Sequence, residues 1–303
     1  MKRPRASVAV LALTLVTAGG CGGSGTPPPV AAPSPIPTAT PSPTATPSPI
    51  VTRTTAPTRT TGPAAPATGA TAAPSWLGTR VLPTDSAGFG IATATPPELV
   101  DRRIVTVDEL PPPADGAFHA RVQPVPPAVA ARSTWTARCP VTLTELRYLT
   151  VGFRGFDGRP HTGELLVHRD VAADLVTVFR RLFAAGYPIE RMRVTTLAER
   201  DAPPTGDGNT TGAFNCRPSV GATRWSEHAY GRAVDVNPFQ NPYVEGRLVL
   251  PELAVAYTDR GRVLPGVITA TGPVVRAFRA VGWTWGGGWR SPNDYMHFSA
   301  TGR

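Results

Sequence analysis

Ser226-Glu227-His228-Ala229-Tyr230-Gly231-Arg232-Ala233-Val234-Asp235 is the stretch on which the reading of the chain turns. It places an imidazole and a carboxylate seven residues apart, with Gly231 letting the backbone turn between them. A second stretch lies downstream: Trp285-Gly286-Gly287-Gly288-Trp289, then Asn293-Asp294-Tyr295-Met296-His297-Phe298. A catalytic zinc takes three protein ligands of His or carboxylate type and keeps one position open for water. His228, Asp235 and His297 can supply those ligands. Asp294 stands three residues before His297. If that stretch is a turn entering a last strand, its carboxylate reaches the open side of the ion. It would then act as general base towards water and as acid towards a leaving amine. Zinc would lower the pKa of that water and polarise the carbonyl under attack.

Working outward, the pattern predicts an α+β domain over 137–303: a small antiparallel sheet with flanking helices and the zinc site at the sheet. Leu146 to Phe153 alternates and is rich in strand formers, and Gly163 to Val167 reads as its partner across a Gly155-Gly158-Pro160 turn. Leu175, Val178, Phe179 and Leu182 have helical spacing behind Asp170 as the expected cap. Ile189 to Val194 is a third strand candidate, and 200–225 reads as loop. Ala233 to Val236 is a short strand, and 237–251 reads as loop. Pro273 opens a helix through Val281, and Trp283 to Trp285 and Tyr295 to Phe298 are final strands.

The first half differs in composition. The chain has 303 residues with 36 prolines, and most of those prolines precede residue 130. Residues 22–75, built of Pro-Ser-Pro and Ala-Thr-Pro units, are expected to be a disordered, semi-rigid spacer. Residues 76–136, broken by Pro111 to Pro113 and Pro124 to Pro127, are expected to form an irregular extension.

Residues 1–21 read as an export signal: Lys2, Arg3 and Arg5 precede the apolar run from Ala6 to Val16, too short for an ordinary membrane span. Thr17-Ala18-Gly19-Gly20-Cys21 resembles the bacterial lipobox. Lipidation at Cys21 would anchor the chain to the membrane; ordinary signal-peptidase cleavage would secrete it. Either address is extracytoplasmic. There Cys139 and Cys216 can form a disulfide, with two buried thiols as the alternative.

A net charge of +9, from 30 basic and 21 acidic residues, reads first as an arginine-rich composition spread over a solvated surface and second as attraction to an anionic partner such as an acidic cell envelope. No basic run interleaved with aromatics appears, and nucleic acid is excluded as a partner.

The block S-x-H-x-x-G-x-A-x-D with a later D-x-x-H-F resembles the zinc peptidoglycan peptidases. These include VanY-type D-alanyl-D-alanine carboxypeptidases and L-alanyl-D-glutamate endopeptidases. The resemblance covers roughly 140–299. It extends to Phe156 to Glu164, to Asn215-Cys216-Arg217 and to Asn237-Pro238. It implies one zinc ion on His228, Asp235 and His297, catalysis by Asp294, and peptidoglycan peptides as substrate. It also puts on Arg217 the basic residue that meets the substrate carboxylate or the oxyanion. Ser299 stands where many relatives carry Glu.

Ser226 and His161 are candidates to support the site by hydrogen bonding. His168 reads as a surface residue, and Trp283, Trp285 and Trp289 chiefly as core. Two other functions compete with hydrolysis. A non-catalytic zinc module binding the cell wall could lose Asp294, which this chain keeps. A non-haem iron oxygenase usually places its carboxylate two residues after the first His, not seven.

Overall fold

The computed structural model describes residues 69–303. The signal segment, Cys21 and the proline-rich stretch to residue 68 lie outside them. The class is the expected one: small antiparallel sheets, few helices.

In chain order the strands are β1 (Ala120–Gln123), β2 (Leu146–Arg154), β3 (Pro160–His168), β4 (Arg191–Met192), β5 (Thr210–Thr211), β6 (Ala233–Asp235), β7 (Tyr243–Glu245), β8 (Leu248–Leu250), β9 (Thr284–Trp285), β10 (Asn293–Asp294) and β11 (His297–Ser299). The helices are α1 (Pro127–Arg132), α2 (Ala172–Ala184), α3 (Leu197–Arg200) and α4 (Pro273–Arg279). β1, β2 and β3 form one antiparallel sheet. β6, β11 and β9 form a second, with β11 central.

α2 buries Leu175, Val178, Phe179 and Leu182, the residues whose spacing predicted it. They join Leu149, Val151 and Leu165 of the first sheet in one core. α4 adds Val274, Val275 and Phe278, and the Phe278 ring stacks on Phe298 of β11 at 4.0 Å. That contact ties the second sheet to the main core. Trp283 and Trp285 are buried in it, as expected.

Four local features differ from expectation. Asp170 does not cap α2. A 3₁₀ turn, Arg169–Val171, precedes the helix, and its cap is the His168 side chain, which accepts from the Asp170 amide at 3.3 Å. His168 is accordingly buried, not a surface residue. The third strand shrinks to β4, which pairs in parallel with β5 inside a segment read as loop. The stretch 237–251 contains the β7–β8 hairpin, with Gly246 at φ 59° in its two-residue turn. Its strands are three residues long, too short to show a period.

The segment from Thr71 to residue 136 packs closely. Thr71 exchanges backbone hydrogen bonds with Arg103 and Val105, and Leu99 and Ile104 are buried with Phe239 and Tyr257. Arg102, 2% exposed, donates to both oxygens of Glu190 at 2.6 and 2.8 Å and to the Asp207 carbonyl at 2.7 Å. Asn209 supplies a further hydrogen bond to Glu190 at 2.7 Å. Breaking a buried ion pair on one side leaves an uncompensated charge. Arg102→Met is therefore expected to lower unfolding free energy by about 3–5 kcal/mol, read by urea titration; a loss below about 1 kcal/mol contradicts it.

Candidate metal centre

His228 sits in a 3₁₀ turn, Glu227–Tyr230, capped by the Ser226 hydroxyl, which accepts from the His228 amide at 3.4 Å. Gly231 closes the turn at φ 66°. A Cβ there would lie 2.7 Å from the His168 amide nitrogen, so the position excludes a side chain on conformation and on space alike. The close approach lets the His168 amide donate to the Gly231 carbonyl at 2.8 Å, docking the turn on the end of β3.

The other two ligand candidates come from register. His297 of β11 lies directly opposite Asp235 of β6. Such cross-strand partners hold their Cβ atoms about 5 Å apart. Phe298, next along β11, points into the core, so strand alternation turns His297 to the opposite face.

The three side chains converge. His228 Nε2 lies 3.1 Å from Asp235 Oδ2 and 3.2 Å from His297 Nδ1, and His297 Nδ1 lies 3.2 Å from Asp235 Oδ1. Ligands held about 2.0–2.1 Å from a tetrahedral ion are separated by about 3.3 Å. The trio therefore has the donor chemistry and the spacing for one zinc ion.

The remaining ring nitrogens set the tautomers. His228 Nδ1–H donates to the Ala213 carbonyl at 2.6 Å, leaving the Nε2 lone pair for a metal. His297 Nε2–H donates to the Arg303 carbonyl at 2.9 Å, leaving Nδ1. Ala213 is placed by the Gly212–Asp235 bridge, and Arg303 by the Gly302 amide donating to Ser299 Oγ at 3.1 Å. Neither carbonyl could be found from sequence, since a backbone acceptor has no signature. The Ser299 hydroxyl thus holds the turn that carries Arg303.

Asp294 lies on β10, paired with Tyr243 of β7. It lines the same cleft as the trio, and its Oδ1 is buried with no hydrogen-bond partner. Burial pushes its carboxyl up to about 7; Asp235 adds to the rise, while His297 and Arg217 oppose it. For Asp235 burial acts in the same raising direction, but His228 and His297 outweigh it and hold the carboxyl below its ordinary range. Burial disfavours the cation of His297, yet Asp235 and Asp294 win and raise it to about 9.

Arg217 is half-buried on the cleft wall, its guanidinium donating to the Pro218 carbonyl at 3.0 Å. It follows Cys216, which is bonded to Cys139. Ser226 serves as the cap of the His228 turn. His161 is not brought to the trio: its ring nitrogens meet Asp108 at 2.8 Å and Asp157 at 3.2 Å, and it stacks on Phe153. Trp289 lies 5.5 Å from the His297 ring and lines the cleft instead of the core. Tyr243 and the exposed Trp225 line it too, and sequence reasoning singled out neither.

An α+β domain with a His–Asp–His trio open to a cleft, and a buried carboxylate beside it, has what is needed to hold a single metal ion. Residues 220–300 match the family model described as D-alanyl-D-alanine carboxypeptidase. That segment carries the His228 turn, Asp235, Asp294 and His297, and the match supports a zinc peptidoglycan peptidase in general. No curated protein and no solved structure matches the chain.

Two outcomes follow from the geometry. With His297 raised to about 9, zinc binding at pH 7 must displace its proton. Calorimetry in buffers of different ionisation enthalpy should show release of about one proton per ion, with affinity rising as pH rises towards 9. A chain ending at Thr301 loses the carbonyl that orients His297 and should bind zinc about 10–100-fold more weakly in chelator competition.

Proposed function

We propose that the protein is a zinc metallopeptidase that hydrolyses amide bonds of peptidoglycan stem peptides. The observation that carries this reading is the trio His228, Asp235 and His297, with mutual distances of 3.1–3.2 Å, facing a cleft that also holds Asp294. When bound, zinc supplies Lewis acidity, polarising a carbonyl and making water more acidic.

The chain's own residues supply the rest. Asp294, with a free buried oxygen, takes the proton of the attacking water and returns it to the leaving nitrogen. A carboxyl raised to about 7 by burial suits both halves of that transfer near neutral pH. Arg217, cationic and near enough to act on Asp294, meets a substrate carboxylate or the oxyanion. The carbonyls of Ala213 and Arg303 keep both imidazoles in the ligating tautomer.

The bond cut is that to a terminal D-alanine, or that between L-alanine and D-glutamate. Product masses from purified muropeptides separate the two. The charged start, short apolar run and Cys21 support export, with the mature chain lipid-anchored at Cys21 or secreted. The alternative of a non-catalytic zinc module binding the cell wall is disfavoured by the presence of Asp294 beside the trio.

His228→Ala and His297→Ala are each expected to abolish zinc retention and cleavage together. Asp294→Asn is expected to keep zinc, measured by atomic absorption, and to lose about 10²–10⁴ in kcat. Wild-type turnover in that variant removes Asp294 from the mechanism; zinc retained without any cleavage by the wild type favours the binding module.

A further inference from the structure

The cleft extends well beyond the segment that carries the metal ligands. It has a volume of about 1360 Å³ and is walled in part by residues of the extension. From 102 to 107 the extension alternates: Arg102, Ile104 and Thr106 are buried, while Arg103, Val105 and Val107 face outward. That is the period of extended chain. Val105 and Val107 are 38% and 76% exposed, and both line the cleft that holds the trio.

A single exposed valine is ordinary. Here two lie on one face of an anchored segment and line the cleft that holds the trio. The segment is fixed at every step. The Val105 amide donates to the Thr71 carbonyl at 2.9 Å, Thr106 Oγ1 donates to the Glu190 carbonyl at 2.8 Å, and Arg102 pairs with Glu190.

Its distance from the metal centre follows from connectivity. Gly212 bridges to Asp235; β5, immediately before it, pairs with β4; and Thr106 hydrogen-bonds to the residue preceding β4. The two paired-strand steps, at about 4.8 Å each, and the side-chain bond beyond them put Val105 and Val107 more than about 10 Å from the trio. An extended peptide covers that in about three to four residues, at about 3.3 Å each.

We propose that Val105 and Val107 form a distal apolar subsite for the same peptide whose scissile bond lies at the trio, so that the preferred substrate is an extended stem and not a dipeptide. The inference rests on the metallopeptidase reading and deepens it. Its occupant is set by continuity: one cleft contains both places. Contacts remote from the reacting bond raise turnover of long substrates, and truncated substrates lose it.

The test uses the full chain loaded with zinc and two probes sharing the bond it cuts: a dipeptide and a five-residue stem. The wild type should show kcat/KM at least about tenfold higher on the stem. Val105→Asp/Val107→Asp should bring the stem to within about twofold of the dipeptide, with zinc content and melting temperature unchanged, because both positions are exposed. Val263→Asp, an exposed valine outside the cleft, should keep the wild-type ratio. Equal kcat/KM for the two probes in the wild type, or an undiminished ratio in the double variant, overturns the subsite while leaving the metallopeptidase standing. Failure of the zinc-loaded wild type to cut either probe overturns the metallopeptidase reading first, and the subsite with it.

Discussion

One antiparallel register governs the site: β11 against β6, with His297 opposite Asp235 and Phe298 opposite Val234. A slip of one residue would exchange the faces and send His297 into the core. The register is held because Phe298 has no other acceptable place. It stacks on Phe278 and is fully buried, and its burial obliges His297 to face the cleft. Hydrophobic packing on one side of the strand thereby aims a candidate metal ligand on the other. The third candidate ligand, His228, depends on a different constraint, the close approach of Gly231 to β3, which admits no Cβ.

The electrostatics of the trio follow from that convergence. Two imidazoles and two carboxyls are drawn into one poorly solvated place, and their protonation states cannot be independent. Asp235 is held below its ordinary range and His297 above its own, each stabilising the other's charge across 3.2 Å. A metal cation bound there would take the place of a proton on His297. Asp294 stands slightly apart, with desolvation dominating, and is the one carboxyl of the group driven upward. Two aspartates at one site are thus pushed in opposite directions by their surroundings.

The extension belongs to the same physical unit as the site. The Arg102–Glu190 pair, with Asn209 and Asp207 around it, is a satisfied buried polar network. Such a network demands one geometry, because any displacement strands a charge. It holds residues 102–107 against Glu190, Asp207 and Asn209, the residues that lead into β4 and β5.

That His228, Asp235, His297 and Asp294 could share one site was legible from sequence because their chemistry is carried by residue type and short spacing: an imidazole, a turn glycine and a carboxylate within ten residues, then a carboxylate and an imidazole three apart. The long strands β2 and β3 and the helices α2 and α4 were legible from period. What holds Asp294 was not. β10 is pinned by β7, part of a hairpin whose strands are too short to leave a pattern. The acceptors behind His228 and His297 were not either, because the backbone oxygens of Ala213 and Arg303 look like any other residue's. His161 carried an informative context and turned out to serve Asp108 and Asp157. Sequence by itself determined which side chains could bind a metal, since that is a property of their atoms. Tertiary structure alone decided which of them meet, because convergence depends on strand register and core packing between segments far apart along the chain.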